Sequence, residues 1–586
     1  MKPAGGVPQA PLLEPLTPRW QEVPPGDARV LATLTESLRL PSAVCAVLAG
    51  RGHTDPDAAK RFLRPLLDHL HDPALLADGR AAAERIARAV ERGETILVHG
   101  DYDVDGICAT ALLTRFLAAR GARVVPFVPH RLRDGYDLSE AGLQAASTAG
   151  ASLIVTVDCG TVALEPIATA RGAGIDVIVT DHHTVGDTPP PATAFVNPHR
   201  PDCPYPEKDL CGTGLAFKLA QLVAREMGVG GDAVHDLLDL VALATVADLV
   251  PLRGENRVLV KFGLRRFGTS RLPGITALLA AAGVEADDVT AGQLGFVVAP
   301  RINAAGRIGE SADALRLLLT DDPREAATLA GQLDRINRTR QEEDRRTQDE
   351  ALELLARSYD PGTDYGIVLA AEGWHPGVIG IVASRVVERI HRPTVLVALD
   401  GSKGRGSARS IPGFDLYDAL AACRAHLGRF GGHSQAAGMD VDRDAVPALR
   451  EAFNAEARRR LLPDDLVPVL RPDVELDLGE VDLGLVHWLE YLGPHGIGNA
   501  RPVFLARGVH LEGARVLKDA HLKVSLRRGT TVVDGIGFRL AETHRPEALG
   551  DGPHDVLLKL ERNEWRGVAR AQAQILDLRP SARSGS

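Results

Sequence analysis

Thr95-Ile96-Leu97-Val98-His99-Gly100-Asp101-Tyr102-Asp103-Val104-Asp105-Gly106 is the stretch whose reading decides the fold. Its first four residues, apolar or β-branched, predict a short buried strand, and three aspartates and a histidine crowd the turn that follows. Carboxylates this close repel one another and raise each other's pKa unless a cation sits among them. The apolar run over residues 107–119 predicts a helix that packs the turn against a core, so the aspartates cannot all splay into water. Taken alone, the stretch leaves a solvated acidic turn as the competing reading.

Repetition separates the two. Ser152-Leu153-Ile154-Val155-Thr156-Val157 predicts a second buried strand ending in Asp158-Cys159-Gly160, and Asp176-Val177-Ile178-Val179-Thr180 a third ending in Asp181-His182-His183. Residues 123–128 add another β-branched run, and the intervals suit βαβ units. Right-handed crossovers make such strands parallel and align their carboxyl ends along one edge, where open α/β sheets bind ligands. That edge collects His99, Asp103, Asp105, Asp158, Asp181, His182 and His183. Asp248, at the end of an apolar helical run before Pro251, is a further possible ligand, because the macrodipole disfavours an acid there without a partner. Adjacent residues at a strand end point to opposite sides, so His182 and His183 share one ion only if the strand has already turned. Carboxylates with imidazole and no thiolate suit manganese or magnesium, and a pair of such ions about 3.5–4 Å apart suits phosphoester hydrolysis.

The 586 residues give a prior of roughly four domains at ~150 residues each. Hydrophobic residues at 45% and charged at 25% exclude a fibre or a disordered chain, and the net charge of -10 argues against a bulk electrostatic nucleic-acid binder while leaving local basic grooves open. Six cysteines with no CxxC pair argue against a disulfide framework or structural zinc and fit a reducing cytoplasm. Residues 1–18 lack the pattern of a signal peptide and are expected to form a flexible tail; no apolar run reaches the ~18 residues of a membrane span.

Residues 1–78 read as this tail and a helical cap on the catalytic domain, 79–310 as the catalytic α/β domain, and 311–362 as a charged, solvent-exposed connecting helix. An α/β pattern resumes over 363–462, with glycine-rich cationic loops at Lys403-Gly404-Arg405-Gly406-Ser407-Ala408-Arg409-Ser410 and Gly431-Gly432-His433-Ser434 that suit close phosphate contact. Six short strands, 502–505, 509–517, 521–526, 531–538, 556–560 and 569–575, predict a small barrel or sandwich within 463–586, with a disordered end from 579. There Lys518, His521, Lys523, Arg527 and Arg528 line either a strand-binding groove or solvated strand faces.

Asp181-His182-His183, with Asp103-Val104-Asp105, Asp158 and Asp248, resembles the DHH phosphoesterase superfamily. Within it, Gly100-Asp101-Tyr102-Asp103-Val104-Asp105-Gly106 and Pro300-Arg301-Ile302-Asn303-Ala304-Ala305-Gly306-Arg307 look like the bacterial RecJ exonucleases. The resemblance implies an α/β architecture: a DHH domain with a parallel sheet, a long connecting helix, a DHHA1 domain and a C-terminal OB-fold β-barrel. It implies a 5′→3′ exonuclease on single-stranded DNA that releases 5′-mononucleotides in recombination and repair, with two divalent ions, Mn2+ preferred or Mg2+. Asp103, Asp105, Asp158, His182 and Asp248 would hold the ions and carry the chemistry with His183; Asp101 would sit in or beside the same shell, and His99 stands where related two-metal pyrophosphatases have a ligand. Arg301, Asn303 and Arg307 would face phosphate, Arg131 and Tyr136 would clamp phosphate and stack a base, Ser407 and Arg409 would take the terminal 5′ phosphate, and His433 would approach the scissile one. Family members often have Gly after the residue matching Tyr136, where this chain has Asp137. A RecQ-type helicase and a single-stranded-DNA-binding protein are the candidate partners of a monomer. A phosphodiesterase for short oligonucleotides or cyclic dinucleotides, and a silent homologue that only grips single strands, are the alternatives.

Overall fold

The computed structural model describes residues 16–131 and 133–581; most of the expected leading tail, residues 582–586 at the other end, and Leu132 in the Arg131–Tyr136 loop lie outside them. Five parallel strands form the first sheet: β1 (Thr95–Gly100), β2 (Arg123–Phe127), β3 (Leu153–Val157), β4 (Asp176–Thr180) and β5 (Ala194–Val196), in the order β2-β1-β3-β4-β5. β1, β3 and β4 are almost continuously apolar because helices cover both faces. β5, three residues long, closes the edge beside β4 and was too short to stand out in the sequence.

Helix α1 (Val104–Ala118) leaves the acid turn and is buried along nearly its whole length. Behind it stand α2 (Gly212–Glu226) and α3 (Leu238–Ala247). α2 is locked in place by a buried ion pair: Lys218 Nζ lies 2.6 Å from Glu255, which also accepts from Tyr205. α4 (Ala299–Ile308) brings the Arg301–Arg307 segment against the acid turn, where Asn303 Oδ1 accepts from the Val104 amide at 3.3 Å.

The connecting helix α5 (Pro323–Ser358) starts on an Asp322 cap and runs 36 residues. It is not the solvated rod its charges predict. One stripe, from Asp334 through Asn337, Arg340 and Asp344 to Thr347, is buried, and Arg340 binds Asp344 at 2.7 Å and Asn337 at 2.6 Å. The charge pattern alone does not distinguish such internal pairs from exposed i,i+4 pairs.

The second α/β region has strands β6 (Ile367–Glu372), β7 (Thr394–Asp400), β8 (Lys403–Arg409), β9 (Phe430–Gly432) and β10 (Ala436–Asp442), ordered β9-β10-β8-β7-β6, with α6 (Ile379–Ile390) against them. The C-terminal sheet holds β11 (Phe504–Leu517), β12 (His521–Arg528), β13 (Thr531–Gly537), β14 (His554–Trp565) and β15 (Val568–Pro580), and β14 pairs back to β11 to close a barrel. Two of the six expected strands, 502–505 and 509–517, are one strand, β11, irregular in its pairing on both sides. Three helices, Ala28–Leu38, Ser42–Gly50 and Pro56–Leu63, share a core with this barrel, including Leu34, Val44, Leu48, Phe504 and Val524. The cap expected on the catalytic domain therefore belongs mainly to the barrel: its apolar faces are buried there, and the catalytic side holds it through Arg257 and Lys261 bonds to the carbonyls of Phe62 and Leu63.

Candidate metal centre

The carboxyl ends of β1, β3 and β4 meet as the topology requires. Asp103 caps α1, accepting from the amides of Asp105 at 2.9 Å and Gly106 at 3.1 Å. Asp105 is held at the amino end of α2, where the Gly212 and Thr213 amides donate to its two oxygens at 2.6 and 2.7 Å. Asp158 follows β3 with φ 63, a left-handed conformation that Asp tolerates better than most side chains. His182 Nε2 stands among three carboxylates, 3.1 Å from Asp158, 3.7 Å from Asp248 and 3.8 Å from Asp105.

Three sets of ligand atoms lie within 4.8 Å of one another: Asp158, His182 and His183; Asp105, His182 and Asp248; and Asp101, Asp103 and Asp158. They share Asp158 and His182. Although 3.1 Å apart, Asp158 Oδ1 and His182 Nε2 are misaligned for a hydrogen bond; both are buried without one, as is Asp101 Oδ1. Burial, then neighbouring carboxylates, pushes Asp158, Asp101 and Asp248 well above the usual range and raises Asp103. Burial also lowers His182. Unbonded lone pairs converging among crowded acids fit divalent cations, and the overlapping sets fit two of them.

The chain has turned by His182, so both histidines face the cluster, their rings 4.5 Å apart. Burial alone would lower His183, but the Asp181 carboxylate, 2.7 Å from its Nδ1, holds it up at about 9. Asp181 itself lies below the usual range: burial raises it, and hydrogen bonds from His183 and Thr161 outweigh that. It orients His183 instead of joining the metal sets.

His99, expected as a ligand, lies apart from the three sets. It is buried against Phe127, with its Nδ1 3.6 Å from Cys159 Sγ and its Nε2 facing Gly142, and it belongs to none of the three sets. Burial lowers it to about 4, so it is a neutral core imidazole beneath the site. A strand residue one step earlier or later presents the other face of the sheet, and the sequence does not say which face carries the ions.

A cavity of about 450 Å3 opens beside the acids, lined by Tyr102, Arg131, Tyr136, Arg307, Ser407 and Arg409 among others. Tyr136 connects the two, its hydroxyl 3.3 Å from His183 Nδ1, and Arg131 lies over the Tyr102 ring at 5.1 Å. Tyr102 was readable only as part of the acidic motif, yet it forms cavity wall. Asp137 takes φ 75, so the loop makes a left-handed turn directly after Tyr136. Arg409 reaches Ser407 Oγ at 3.2 Å, and Arg307 reaches the Gly377 carbonyl at 3.1 Å. Burial lowers both guanidinium groups, Arg307 to about 10, and Arg131 lowers them further, as expected of cations facing one another.

Arg301, expected to face phosphate, is engaged elsewhere. It turns the other way to Asp334 on α5, 2.9 Å away, and pins α4 to that helix. Asn303 supports the acid turn, and His433 lies exposed in the β9–β10 turn, outside the cavity lining. In the barrel, Arg527 pairs with Glu512 and Arg528 with Asp477.

The crowded acids set a pH dependence. A carboxylate whose folded pKa lies above its unfolded one binds more protons when folded, so stability falls as pH rises from the unfolded value through the folded one. The chelator-treated protein is therefore expected to lose thermal stability from about pH 4 upward, where an unfolded aspartate begins to ionise, and the melting-temperature gain on adding Mn2+ to grow over that range, as scanning calorimetry at several pH values would measure.

Family models match the chain over residues 95–245 (DHH family, N-terminal domain), 363–459 (DHHA1 domain) and 472–577 (RecJ OB domain). It is 36% identical over 565 residues to the single-stranded-DNA-specific exonuclease RecJ of Bacillus subtilis, covering 95% of this chain and 70% of the relative. Its identity to the Dickeya dadantii protein of the same name is 38% over 562 residues, covering 92% and 96%. The crystal structure of RecJ in complex with Mn2+ from Thermus thermophilus superposes with a TM-score of 0.83 at 35% identity, covering 96% of this chain and 80% of that one. With the matched domains in this order and relatives matched over most of their length, the chain belongs to the RecJ family of DHH proteins.

Proposed function

We propose that the protein is a 5′→3′ exonuclease on single-stranded DNA, a metal-dependent hydrolase that releases 5′-mononucleotides in recombination and repair. The observation that carries this reading is that the acid cluster and the arginine-lined cavity adjoin through Tyr136, so a strand end held in one lies beside the other. The RecJ relatives are named single-stranded-DNA-specific exonucleases.

Asp101, Asp103, Asp105, Asp158, His182 and Asp248 would hold two divalent cations, Mn2+ or Mg2+. Bound there, the cations supply Lewis-acid stabilisation of phosphate oxygens and acidify water. The Gly212 and Thr213 amides fix Asp105 in place. His183, charged at neutral pH with Nδ1 on Asp181, keeps Nε2–H available to a phosphate oxygen. Ser407, Arg409 and Arg307 take the 5′ phosphate, and Arg131 and Tyr136 hold the first nucleotide. Fixing the terminus at a set distance from the acids limits each cut to one nucleotide.

The barrel supports a long substrate over a short oligonucleotide or cyclic dinucleotide, and the complete acid cluster supports an enzyme over a silent binder. The functional units we propose are 79–310, 311–362, 363–462 and 463–586, with 1–78 joined to the last. One chain supplies every site residue, which supports a monomer. A helicase of RecQ type and a single-stranded-DNA-binding protein fit as partners because the chemistry needs unpaired strand. All six cysteines are free and buried, which supports a cytoplasmic location. Among the described residues no helix is long and apolar enough to cross a membrane.

Single strands labelled at the 5′ or the 3′ end test the activity: immediate mononucleotide from the 5′ label supports it, and binding without cleavage or cleavage confined to di- and trinucleotides contradicts it. Arg409→Ala is expected to lower the preference for 5′-phosphorylated over 5′-hydroxyl strands by about 10- to 100-fold, the worth of a charge-assisted hydrogen bond, with Mn2+ affinity unchanged by calorimetry.

A further inference from the structure

The cavity does not stop at Ser407 and Arg409. Residues 405, 407 and 409 of β8 share one face of the strand, so Arg405 continues the row, about 13 Å from Arg409 along the backbone with Ser407 midway. In register, Arg405 lies opposite Asp440, Ser407 opposite Gly438, and Gly438 opposite Gly431. Those two glycines pave the floor: a Cβ at Gly431 would meet nothing within 4 Å, and one at Gly438 only the Gly406 carbonyl at 4.0 Å.

At this outer end Arg405 and Arg429 flank the single carboxylate of Asp440 at 3.7 and 3.3 Å, and both guanidinium side chains stay largely exposed, at 54% and 90%. The cavity thus sets five guanidinium groups, those of Arg131, Arg307, Arg405, Arg409 and Arg429, against one acid. A terminal monophosphate brings about two negative charges to the inner end, which leaves the two outer cations with the one Asp440 carboxylate between them.

We infer that the outer end is a polyphosphate subsite and that the protein accepts single strands whose 5′ end carries a diphosphate or triphosphate. The inference rests on the proposed exonuclease reading, with the first phosphate at Ser407 and Arg409 and the outer phosphoryl groups running over the glycine floor to Arg405 and Arg429. Water adds to the phosphorus between the first and second nucleotides, the bond to the first nucleotide's O3′ breaks, and that oxygen takes the proton. The first product is a nucleoside 5′-triphosphate, and the remaining strand carries a 5′-monophosphate. Water is the only co-reactant.

The test compares three oligonucleotides of one sequence, ending in 5′-hydroxyl, 5′-monophosphate and 5′-triphosphate, with Mn2+ and chromatography of the first product. Wild type is expected to cut the triphosphate strand at least as efficiently as the monophosphate strand and to release the nucleoside triphosphate. Arg405→Ala is expected to lower kcat/KM for the triphosphate strand about tenfold, with less than about a threefold effect on the monophosphate strand. Asp440→Asn, which frees both cations, is expected to shift the ratio the other way. Refusal of the triphosphate strand while the monophosphate strand is cut normally overturns the inference, as does an equal effect of Arg405→Ala on both. Inhibition by free nucleoside triphosphate with refusal of the triphosphate strand also overturns it, because the subsite would then serve a free ligand. Failure to cut any of the three strands counts against the exonuclease reading itself.

Discussion

Asp158→Asn is expected to lower kcat/KM on 5′-phosphorylated single strands by about 10³- to 10⁵-fold, because it removes the carboxylate shared by two of the three metal sets. Asparagine keeps the shape and tolerates the left-handed backbone at this position, so the fold is expected to survive. The same change removes one member of a mutually repelling group. The metal-free variant should accordingly be more stable than wild type, by about 1 kcal/mol, while the stabilisation conferred by Mn2+ shrinks. Paired melts with chelator and with Mn2+ check both halves, and a variant less stable than wild type without metal would deny the repulsion.

Gly212→Ala is expected to cost nearly as much activity from a residue with no chemistry of its own. A Cβ there runs into the Asp158 side chain, 2.8 Å from its carboxyl carbon, at the point where α2 delivers two amides to Asp105. Asp158 cannot yield without disturbing its own turn, so the end of α2 must retreat and take its amides with it. The expected effects are about 1–3 kcal/mol of lost stability and at least about a hundredfold loss of kcat/KM. Gly214→Ala, one half-turn further along the same helix, meets its nearest atom at 3.5 Å and is the control expected to stay near wild type in both measurements.

These two sites mark what was legible in the sequence. Asp158 announced itself, because an apolar strand ending in an acid, repeated along the chain, aligns acids on one edge of a parallel sheet. Gly212 did not: its role depends on α2 arriving from far along the chain to close over Asp105, and Cys211-Gly212-Thr213-Gly214 reads locally as an ordinary helix start. His99 shows the opposite case. It sits beside the motif, yet the alternation of a strand sends it to the far face, against Phe127 and Gly142. Arg301 and Arg307 both lie on α4, and helical rotation sends one to Asp334 on α5 and the other to the cavity. A linear motif names both without saying which faces substrate. The seat of the N-terminal helices was hidden for a related reason: amphipathic faces show that a helix packs, and not which of two distant domains it packs on.

Diffraction from a Mn2+-loaded crystal, recorded for the anomalous signal of manganese, tests the central claim most directly. Two peaks are expected, both among the carboxylates and imidazole of Asp101, Asp103, Asp105, Asp158, His182 and Asp248. Peaks elsewhere, or none in a crystal whose Asp158 and His182 remain this close, would contradict it.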